Sequence, residues 1–390
     1  MITTEQALSA CLALVEPCGQ EEVPLAAAGG RVLAQPIAAK RDQPPFRASV
    51  MDGYALSDAA PGGRFRVVGE APAGHGWAGT LGPGEALRIF TGAPLPDGAD
   101  RVIIQEDVLH EGDTITLKGD LDPGPYIRAV GADFAAGETL EAPCRLTPAR
   151  IALAAAMGHG RVTVSRRPDV AIMATGDELV PPGDAPAPDQ IIASNSYGLQ
   201  AMAGAAGADA RLLPIARDDA DSLKAAFWLA ADADLIVTIG GASVGDHDLV
   251  GPVAAELGLE RAFYKIAMRP GKPLMAGRLG RSALVGLPGN PVSSMICGQI
   301  FVLPMIEAFL SLPAGSAARQ SATLTVPMGS NGPREHYMRA HLKNGAITPA
   351  DSQDSALLSR LANANALLVR PPHDPEKAPG AEVSYIPLLA

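Results

Sequence analysis

Three loop segments lie in the middle of the chain, at residues 175–178, 240–248 and 286–291. They consist of glycine and turn-forming residues, and two of them also contain carboxylates. Each segment directly follows a short apolar run that is typical of a buried parallel strand. In an open α/β sheet, ligands bind at the carboxyl ends of such strands. Glycines let backbone amides approach a phosphate closely, and carboxylates can hold a divalent cation beside it. The sequence therefore predicts a site for an anionic, phosphate-bearing ligand.

Acidic residues recur at three of the predicted strand ends. Glu178 follows the first strand, Asp218 the second, and Asp248 lies in the glycine-rich loop after the third. Because such ends converge at one edge of a parallel sheet, we expect these side chains to lie close together. Helix capping is the competing interpretation, and it is the stronger one for Asp219 and Asp221. Glu178 and Asp248 favour a functional role, and Glu178 opens no helix because Leu-Val-Pro-Pro follows it.

A basic turn is predicted within residues 265–273. A Pro-Gly pair ends regular structure there, so Arg269 and Lys272 are expected on a tight turn. Arg offers a planar fork and Lys a point charge, and together they suit a small oxyanion. A solvated charged loop is the alternative. Residues 288–293 weaken it, because they open a helix at Ser293, and free amides and hydroxyls at a helix start bind anions.

Other motifs argue against several common chemistries. The G-x-G-x-x-G match at residues 74–79 lacks a strand-to-helix context, and Gly-Lys-Pro at residues 271–273 does not complete a P-loop. The seven histidines form no H-x-x-x-H pair, and the serines lack a nucleophile elbow. Taken alone, residues 48–55 and 91–100 are interpreted as structural turns of a β module.

Composition indicates a folded, soluble protein of several domains. The 390 residues are 47% hydrophobic and 19% charged, and the net charge of −11 argues against a general nucleic-acid or anionic-membrane surface. Four separated cysteines without a C-x-x-C motif are expected to be reduced thiols. The N-terminus lacks the regions of a signal peptide, and the apolar residues 295–312 are expected to form a core helix. These features predict a cytoplasmic location.

The order of helical and β-type patterns predicts an α/β multidomain protein. Residues 168–314 alternate strand and helix, which predicts a doubly wound parallel sheet. Residues 1–46 and 137–167 are expected to form a helical N-terminal domain, into which a small β module of residues 47–136 is inserted. Residues 315–390 return to short strands and are expected to form a small β-barrel-like domain.

Six motifs occur in the order of one known family and span nearly the whole chain. Together they resemble the molybdopterin molybdenumtransferases, the molybdate-insertion enzymes of molybdenum-cofactor synthesis, which are similar to the E domain of gephyrin. Any one motif is weak, whereas six in order are highly specific. The six motifs are residues 49–55, 88–100, 175–180, 240–245, 270–273 and 286–293.

This resemblance implies an elongated homodimer whose α/β domain is of the molybdopterin-binding type. Each active cleft would lie between the α/β domain of one subunit and the β module of the other. It also implies an enzyme that uses Mg²⁺ and adenylylated molybdopterin and releases AMP as molybdate is inserted. Expected partners are molybdate, the adenylylated pterin and other proteins of molybdenum-cofactor synthesis, with no nucleic acid and no membrane.

The same resemblance implies roles for individual residues by their motif positions. The catalytic residues would be Asp248, Asp52, Glu178 and Thr91. Mg²⁺ and the pyrophosphate would be held by Glu178, Asp218 and Asp248. The molybdate would be framed by Arg269, Lys272, Ser293, Arg339 and Ser359. Further substrate contacts would come from Lys265, Pro288, Pro291, Arg128 and Asp133.

Two alternative functions stand beside this one. A molybdopterin adenylyltransferase has a similar α/β domain but is usually a single small domain, so the β module and the C-terminal domain count against it. A non-catalytic scaffold is the other alternative, because gephyrin clusters receptors through this domain, but intact carboxylates favour catalysis. Arg269 stands where the family often has Lys, which keeps the charge and alters the geometry.

Overall fold

The chain divides into two units in the computed structural model, which describes residues 1–241 and 249–388. Residues 22–164 form the smaller unit, and residues 1–21 with the described residues from 165 onward form the larger one. The first helix therefore belongs to the larger unit, whereas we expected it in one domain with residues 137–167. The finer division into four domains remains a prediction.

Eight α-helices are present in the described part of the chain, and the side chain of an N-cap residue caps three of them, the first, second and fourth along the chain. Thr3 and Gln6 form a reciprocal capping box at the first helix, and the second helix has a Thr147 cap followed by proline. The helices are α1 (Thr4–Leu12), α2 (Pro148–Ala156), α3 (Asn195–Ala205), α4 (Ala220–Leu229), α5 (Val250–Glu256), α6 (Pro291–Cys297), α7 (Leu303–Phe309) and α8 (Leu358–Ala362).

The smaller unit is built on short strands. They are β1 (Gln20–Pro24), β2 (Val32–Leu33), β3 (Ile37–Ala38), β4 (Ala48–Ser49), β5 (Gly53–Leu56), β6 (Arg64–Ala71), β7 (Glu85–Ile89), β8 (Arg101–Ile104), β9 (Val108–Glu111), β10 (Thr114–Leu117), β11 (Ile127–Arg128), β12 (Thr139–Leu140), β13 (Cys144–Arg145) and β14 (Arg161–Ser165).

A six-stranded sheet of order β8-β5-β7-β6-β10-β9 dominates this unit, beside a four-stranded sheet of order β1-β14-β2-β13. Alternate residues of the larger sheet enter different clusters: Leu87 and Ile89 pack in one, Ala86 and Ile103 in the other. Apolar packing on both faces therefore fixes the register of β5 and β7. The loops that leave these strands are positioned by it.

An α/β sheet of order β18-β15-β19-β23-β22-β20 forms the centre of the larger unit. Its strands, with two short ones beside them, are β15 (Asp169–Ala174), β16 (Leu179–Val180), β17 (Ile191–Ile192), β18 (Asp209–Leu212), β19 (Leu235–Ile239), β20 (Glu260–Tyr264), β21 (Met268–Arg269), β22 (Met275–Leu279) and β23 (Ser282–Leu287).

The α/β domain is confirmed, but its sheet is mixed rather than wholly parallel. Strands β18, β15, β19 and β23 are parallel to one another, whereas β22 and β20 are antiparallel additions. The physical reason is the two-residue turn between Leu279 and Ser282, since a turn that short can join only antiparallel strands. The parallel part, which carries the three loop segments, is as expected.

A continuous helical run from Pro291 to Phe309 links α6 to α7 through a π-helical segment, Gly298–Val302. Among the residues that the structure describes, it is the single helix long and apolar enough to cross a membrane. However, 72% of its most apolar 18-residue stretch is buried inside the protein. It packs against α1 and α3. The expected core helix is therefore present.

A closed five-stranded barrel forms the C-terminal part of the larger unit, which confirms the β-barrel-like domain. The order β25-β26-β24-β28-β27 returns to β25 through a second pairing, and β21 adds to β25 from outside. Apolar side chains such as Leu324, Ile347 and Leu368 fill its interior. The strands are β24 (Gln320–Leu324), β25 (Glu335–Lys343), β26 (Ala346–Pro349), β27 (Ala366–Arg370) and β28 (Glu382–Pro387).

Candidate functional site

A cleft of about 720 Å³ lies at the carboxyl ends of the parallel strands in the larger unit. Backbone hydrogen bonds tie its loops together: the Thr175 amide donates to the Ile239 carbonyl at 3.0 Å, and the Gly240 amide donates to the Leu287 carbonyl at 3.1 Å. The cleft is thus part of the sheet itself. The structure brings the three segments together as the sequence predicts, as far as their residues are described.

Glycines bring the backbones of these loops into close approach. Gly240 has a φ of +92°, and a Cβ there would lie 2.9 Å from the Thr175 carbonyl oxygen. A Cβ on Gly289 would lie 3.6 Å from the Gly240 Cα. Asn195 completes the arrangement by donating its side-chain amide to the Gly289 carbonyl at 2.7 Å. The floor of the cleft is therefore backbone, which suits a bulky anionic ligand.

Two of the predicted carboxylates, Glu178 and Asp218, line this cleft. Both side chains are exposed, and the described residues supply neither with an ion-pair partner. The Glu178 carboxylate lies over Gly176, where any Cβ would collide with it. The third carboxylate, Asp248, and its neighbours at 242–247 lie outside the described residues.

The acidic residues assigned to capping behave as expected. Asp219 is the N-cap of α4, and its carboxylate accepts a hydrogen bond from the Ser222 amide at 2.8 Å. Asp221 lies in the first turn of the same helix. Two adjacent acids therefore have different surroundings: Asp219 is bonded to its helix, whereas Asp218 faces the cleft.

The basic turn carries exposed cations next to the α/β sheet. Arg269 and Lys272 are exposed, and no hydrogen bond or ion pair of either side chain is found within the described ranges. Gly271 between them has a φ of +111°. Lys265 is half-buried with its Nζ 5.1 Å from the centre of the Tyr264 ring, a cation–π contact.

Of the other residues predicted to contact the substrate, some line the cleft and others do not. Pro288 and Pro291 line the cleft. Ser293 is only 4% exposed, inside the first turn of α6, and is not among the lining residues. Ser359 is exposed in α8, a helix that contacts α6. The predicted contact of Ser293 with the anion remains a prediction.

Arg339 is buried beside the cleft. It is 1% exposed, and its guanidinium donates to the backbone carbonyls of Ser352, Asp354 and Leu357 at 2.9 to 3.2 Å. These bonds hold the segment that carries Ala356 against the cleft, where Ser355 accepts from the Val292 amide. Arg339 therefore holds this segment in place, and its predicted contact with the molybdate remains a prediction.

We expect Arg339→Met to lower the free energy of unfolding by about 2 kcal/mol, because the carbonyls of Ser352, Asp354 and Leu357 lose a charged donor that is itself buried. Urea unfolding of the full chain measures the change. Arg360→Met is the matched control, since Arg360 forms an exposed ion pair with Asp351, and we expect a change below about 0.5 kcal/mol there. Equal effects in the two variants would contradict a structural role for Arg339.

A second group of candidate residues lies in the smaller unit, where Asp52 and Thr91 are joined. The backbone amide and the hydroxyl of Thr91 both donate to Asp52 Oδ1 at 2.8 Å. These hydrogen bonds, with a smaller contribution from the Arg88 cation, hold the pKa of Asp52 below its usual value. The structure therefore brings together two residues that looked like separate turns in the sequence.

Arg88 belongs to this group and was given no role by sequence reasoning. Its guanidinium lies 5.1 Å from the Tyr54 ring and 4.9 Å from the Phe90 ring, and it donates to the Gln105 side chain at 2.8 Å. Two signals in the sequence could have drawn attention to it: Arg88 begins the motif of residues 88–100, and it stands between two apolar residues along β7.

Two further predicted contacts, Arg128 and Asp133, are exposed in the same unit. Arg128 is on β11, which pairs with β4, and the Asp133 amide donates to the Gln43 carbonyl at 2.9 Å. Neither side chain is hydrogen-bonded to Asp52 or Thr91 in the described structure. Their predicted roles remain predictions.

We expect Thr91→Val to raise the pKa of Asp52 toward its ordinary value, because the hydroxyl that favours the carboxylate is removed while the shape is kept. Carboxyl ¹³C NMR across an acid titration measures the shift. Thr80→Val, in the same unit, is the control and should leave the Asp52 titration unchanged. An unaltered Asp52 pKa in Thr91→Val would contradict the contribution of the hydroxyl.

Three family models match the chain in succession. The MoeA N-terminal region (domain I and II) matches residues 2–158, a probable molybdopterin binding domain matches residues 171–308, and the MoeA C-terminal region (domain IV) matches residues 321–388.

Curated relatives cover most of the chain. A molybdopterin molybdenumtransferase of a Nostoc species is 37% identical over 90% of this chain and 85% of its own length. Molybdopterin molybdenumtransferase 2 of Mycobacterium tuberculosis is 36% identical over 95% of each chain. Among solved structures, a molybdopterin biosynthesis MoeA protein of Pyrococcus horikoshii is 31% identical with a TM-score of 0.84, and the alignment covers 100% of both chains.

Proposed function

The chain belongs to the molybdopterin molybdenumtransferase family, and we propose that it inserts molybdate into adenylylated molybdopterin in an Mg²⁺-dependent reaction that releases AMP. The observation that carries this proposal is the cleft at the strand ends, with two exposed carboxylates on a backbone floor. A phosphate-bearing ligand of pterin size fits a cleft of about 720 Å³.

The donor chemistry of the cleft fits Mg²⁺. Glu178 and Asp218 offer hard oxygen ligands, and Mg²⁺ is usually held by one or two carboxylates together with substrate phosphates and waters. We propose that these two, with Asp248, hold the ion and the pyrophosphate. When bound, the ion supplies charge stabilisation at a phosphoryl oxygen.

The basic turn supplies the complementary pocket for molybdate. Arg269 and Lys272 are exposed cations without a partner in the described ranges, so an arriving oxyanion displaces no existing ion pair. Pro273, which directly follows Lys272, lines the cleft together with Pro288 and Pro291, so the basic turn adjoins the cleft. Arg339 acts at one remove, by holding the segment that places Ala356 at the cleft.

Asp52 and Thr91 are proposed to act in the same reaction from the smaller unit. The lowered pKa of Asp52 keeps its carboxylate ionised, so Asp52 Oδ2 is available as a hydrogen-bond acceptor while Oδ1 is held by Thr91. We further propose a homodimer with shared active sites and a cytoplasmic location, in line with the net charge of −11 and the family.

AMP release from adenylylated molybdopterin, measured with and without molybdate and Mg²⁺, tests the proposal. We expect release that requires both ions and that yields molybdenum cofactor able to reconstitute an apo-molybdoenzyme. ATP-dependent formation of the adenylylated pterin instead would favour an adenylyltransferase. Pterin binding by the folded protein without any turnover would favour a scaffold.

A further inference from the structure

A row of three basic side chains crosses the sheet beside the basic turn. Strand register places His336 of β25 opposite Arg269 of β21 on one side and opposite Arg370 of β27 on the other. Directly paired residues on adjacent strands project to the same face of a sheet. His336 therefore lies between two arginines, one of which belongs to the proposed molybdate pocket.

The two arginines differ in their partners. Arg370 is buried and donates from all three of its nitrogens: Nε donates to Asp374 at 2.9 Å, and the other two donate to the carbonyls of Gly329, Asp374 and Pro375. Arg269 is exposed, and its guanidinium has no partner among the described residues. The positive charge of Arg269 is therefore the one that an incoming anion can neutralise.

His336 is a buried neutral imidazole in this row. It is 7% exposed, and burial, together with the cations of Arg269, Arg370, Arg334 and Arg339, lowers its pKa to about 4. Nearby carboxylates do not offset this. Asp374 is paired with Arg370 and Lys377, and Glu335 is paired with Arg319 and Tyr337.

We propose that His336 is the proton-accepting residue of the oxyanion pocket, and that binding of a tetrahedral dianion at Arg269 is coupled to uptake of one proton by His336. The inference rests on the proposed function, because it takes molybdate to be the anion at Arg269. A dianion at Arg269 carries two negative charges against the single charge of the guanidinium, so its binding favours the imidazolium form of His336. The proton comes from solvent, and the product is an imidazolium beside the bound anion.

This arrangement makes anion affinity depend on pH over a defined range. Free His336 is neutral near pH 7, so uptake on binding means that the bound state carries more protons than the free state. By linkage, affinity then falls as pH rises, by up to about tenfold per pH unit, from the pKa of free His336 at about 4 up to its higher pKa in the bound state. A pocket of fixed arginine and lysine charges would show no such slope in that range.

Isothermal titration calorimetry with sodium molybdate on the full chain tests the coupling directly. Titrations at pH 7 in two buffers with different ionisation enthalpies give the number of protons taken up per molybdate. We expect up to one proton for the wild type, none for His336→Gln, and a dissociation constant in His336→Gln that no longer changes with pH. His341→Gln, an exposed histidine on the same strand, is the matched control and should keep wild-type proton uptake.

Two outcomes separate failure of this inference from failure of the proposed site. If Arg269→Ala abolishes molybdate binding and the wild type still shows buffer-independent heats, the coupling is overturned while the pocket stands. If Arg269→Ala binds molybdate as the wild type does, the anion lies elsewhere and both ideas are overturned. If His336→Gln does not fold, the ¹³Cε1–¹Hε1 resonance of His336 in the wild type provides the test. We expect this resonance to move to the imidazolium position when molybdate is added. A resonance that does not move would overturn the inference.

Discussion

Glu178→Gln and Asp218→Asn are each expected to lower molybdate-dependent AMP release by at least about 100-fold, equivalent to roughly 2.7 kcal/mol of transition-state stabilisation. Both substitutions keep the size of the side chain. Both remove the negative charge that stabilises bound Mg²⁺. Both side chains are exposed at the cleft, so the fold should be retained. The measurement is initial rate against Mg²⁺ concentration, and we expect the half-saturating concentration to rise as well.

The neighbouring acid provides a matched control. Asp219→Asn removes one negative charge next to Asp218, and asparagine caps a helix about as well as aspartate does. We therefore expect wild-type AMP release and unchanged unfolding for Asp219→Asn. If it were as inactive as Asp218→Asn, the general charge of the loop would matter rather than a specific ligand. If Glu178→Gln had wild-type kinetics, Glu178 would not be a ligand of the metal.

The strand-end cleft could be predicted from the sequence because its causes are local. A short apolar run followed by Thr-Gly-Asp-Glu or Gly-Gly already implies a buried strand and a turn, and parallel strands bring such turns to one edge. The separate surroundings of Asp218 and Asp219 were also foreseeable, since capping depends only on the helix that follows. Residue type and chain order were sufficient for these features.

Other features depend on contacts between residues distant in sequence. The pairing of β25 with β27 that closes the barrel, and the antiparallel addition of β22 to the α/β sheet, leave no periodicity that distinguishes them from open sheets. The motif position of Arg339 suggested an anion ligand, but its burial against the carbonyls of residues 352–357 is set by tertiary packing. The hydrogen-bonded pair Asp52 and Thr91 is similar, because the two lie 39 positions apart.

His336 shows the same limit in a different way. Nothing in the sequence around it distinguishes an exposed histidine from a buried one, and the seven histidines form no metal-binding pattern. Only the lateral register of β21, β25 and β27 shows that it lies between Arg269 and Arg370. Side chains that act through the charge of a neighbour are found from register and burial, not from motif spacing.

Gly271→Ala is expected to lower the free energy of unfolding by about 3 kcal/mol and to weaken molybdate binding at the same time. Gly271 has a φ of +111°, which L-residues rarely adopt, and a Cβ there would lie 2.5 Å from the Sγ of Cys297. Cys297 is fully buried, so its sulfur has little room to move. Because the turn carries Arg269 and Lys272, relief of the clash should displace both cations. Urea unfolding and molybdate titration of the same variant measure the two effects.

A double-mutant cycle separates the steric clash from the backbone strain. Cys297→Ala removes the sulfur, so adding it to Gly271→Ala should recover about 1 to 2 kcal/mol relative to the sum of the single changes. Gly280→Ala gives the cost of a positive φ alone, about 1 kcal/mol, because Gly280 has a φ of +58° and no atom within 4 Å of its Cβ position. Strict additivity of Gly271→Ala and Cys297→Ala would show that the turn relaxes away from Cys297, and the close packing inferred here would then not constrain the basic turn.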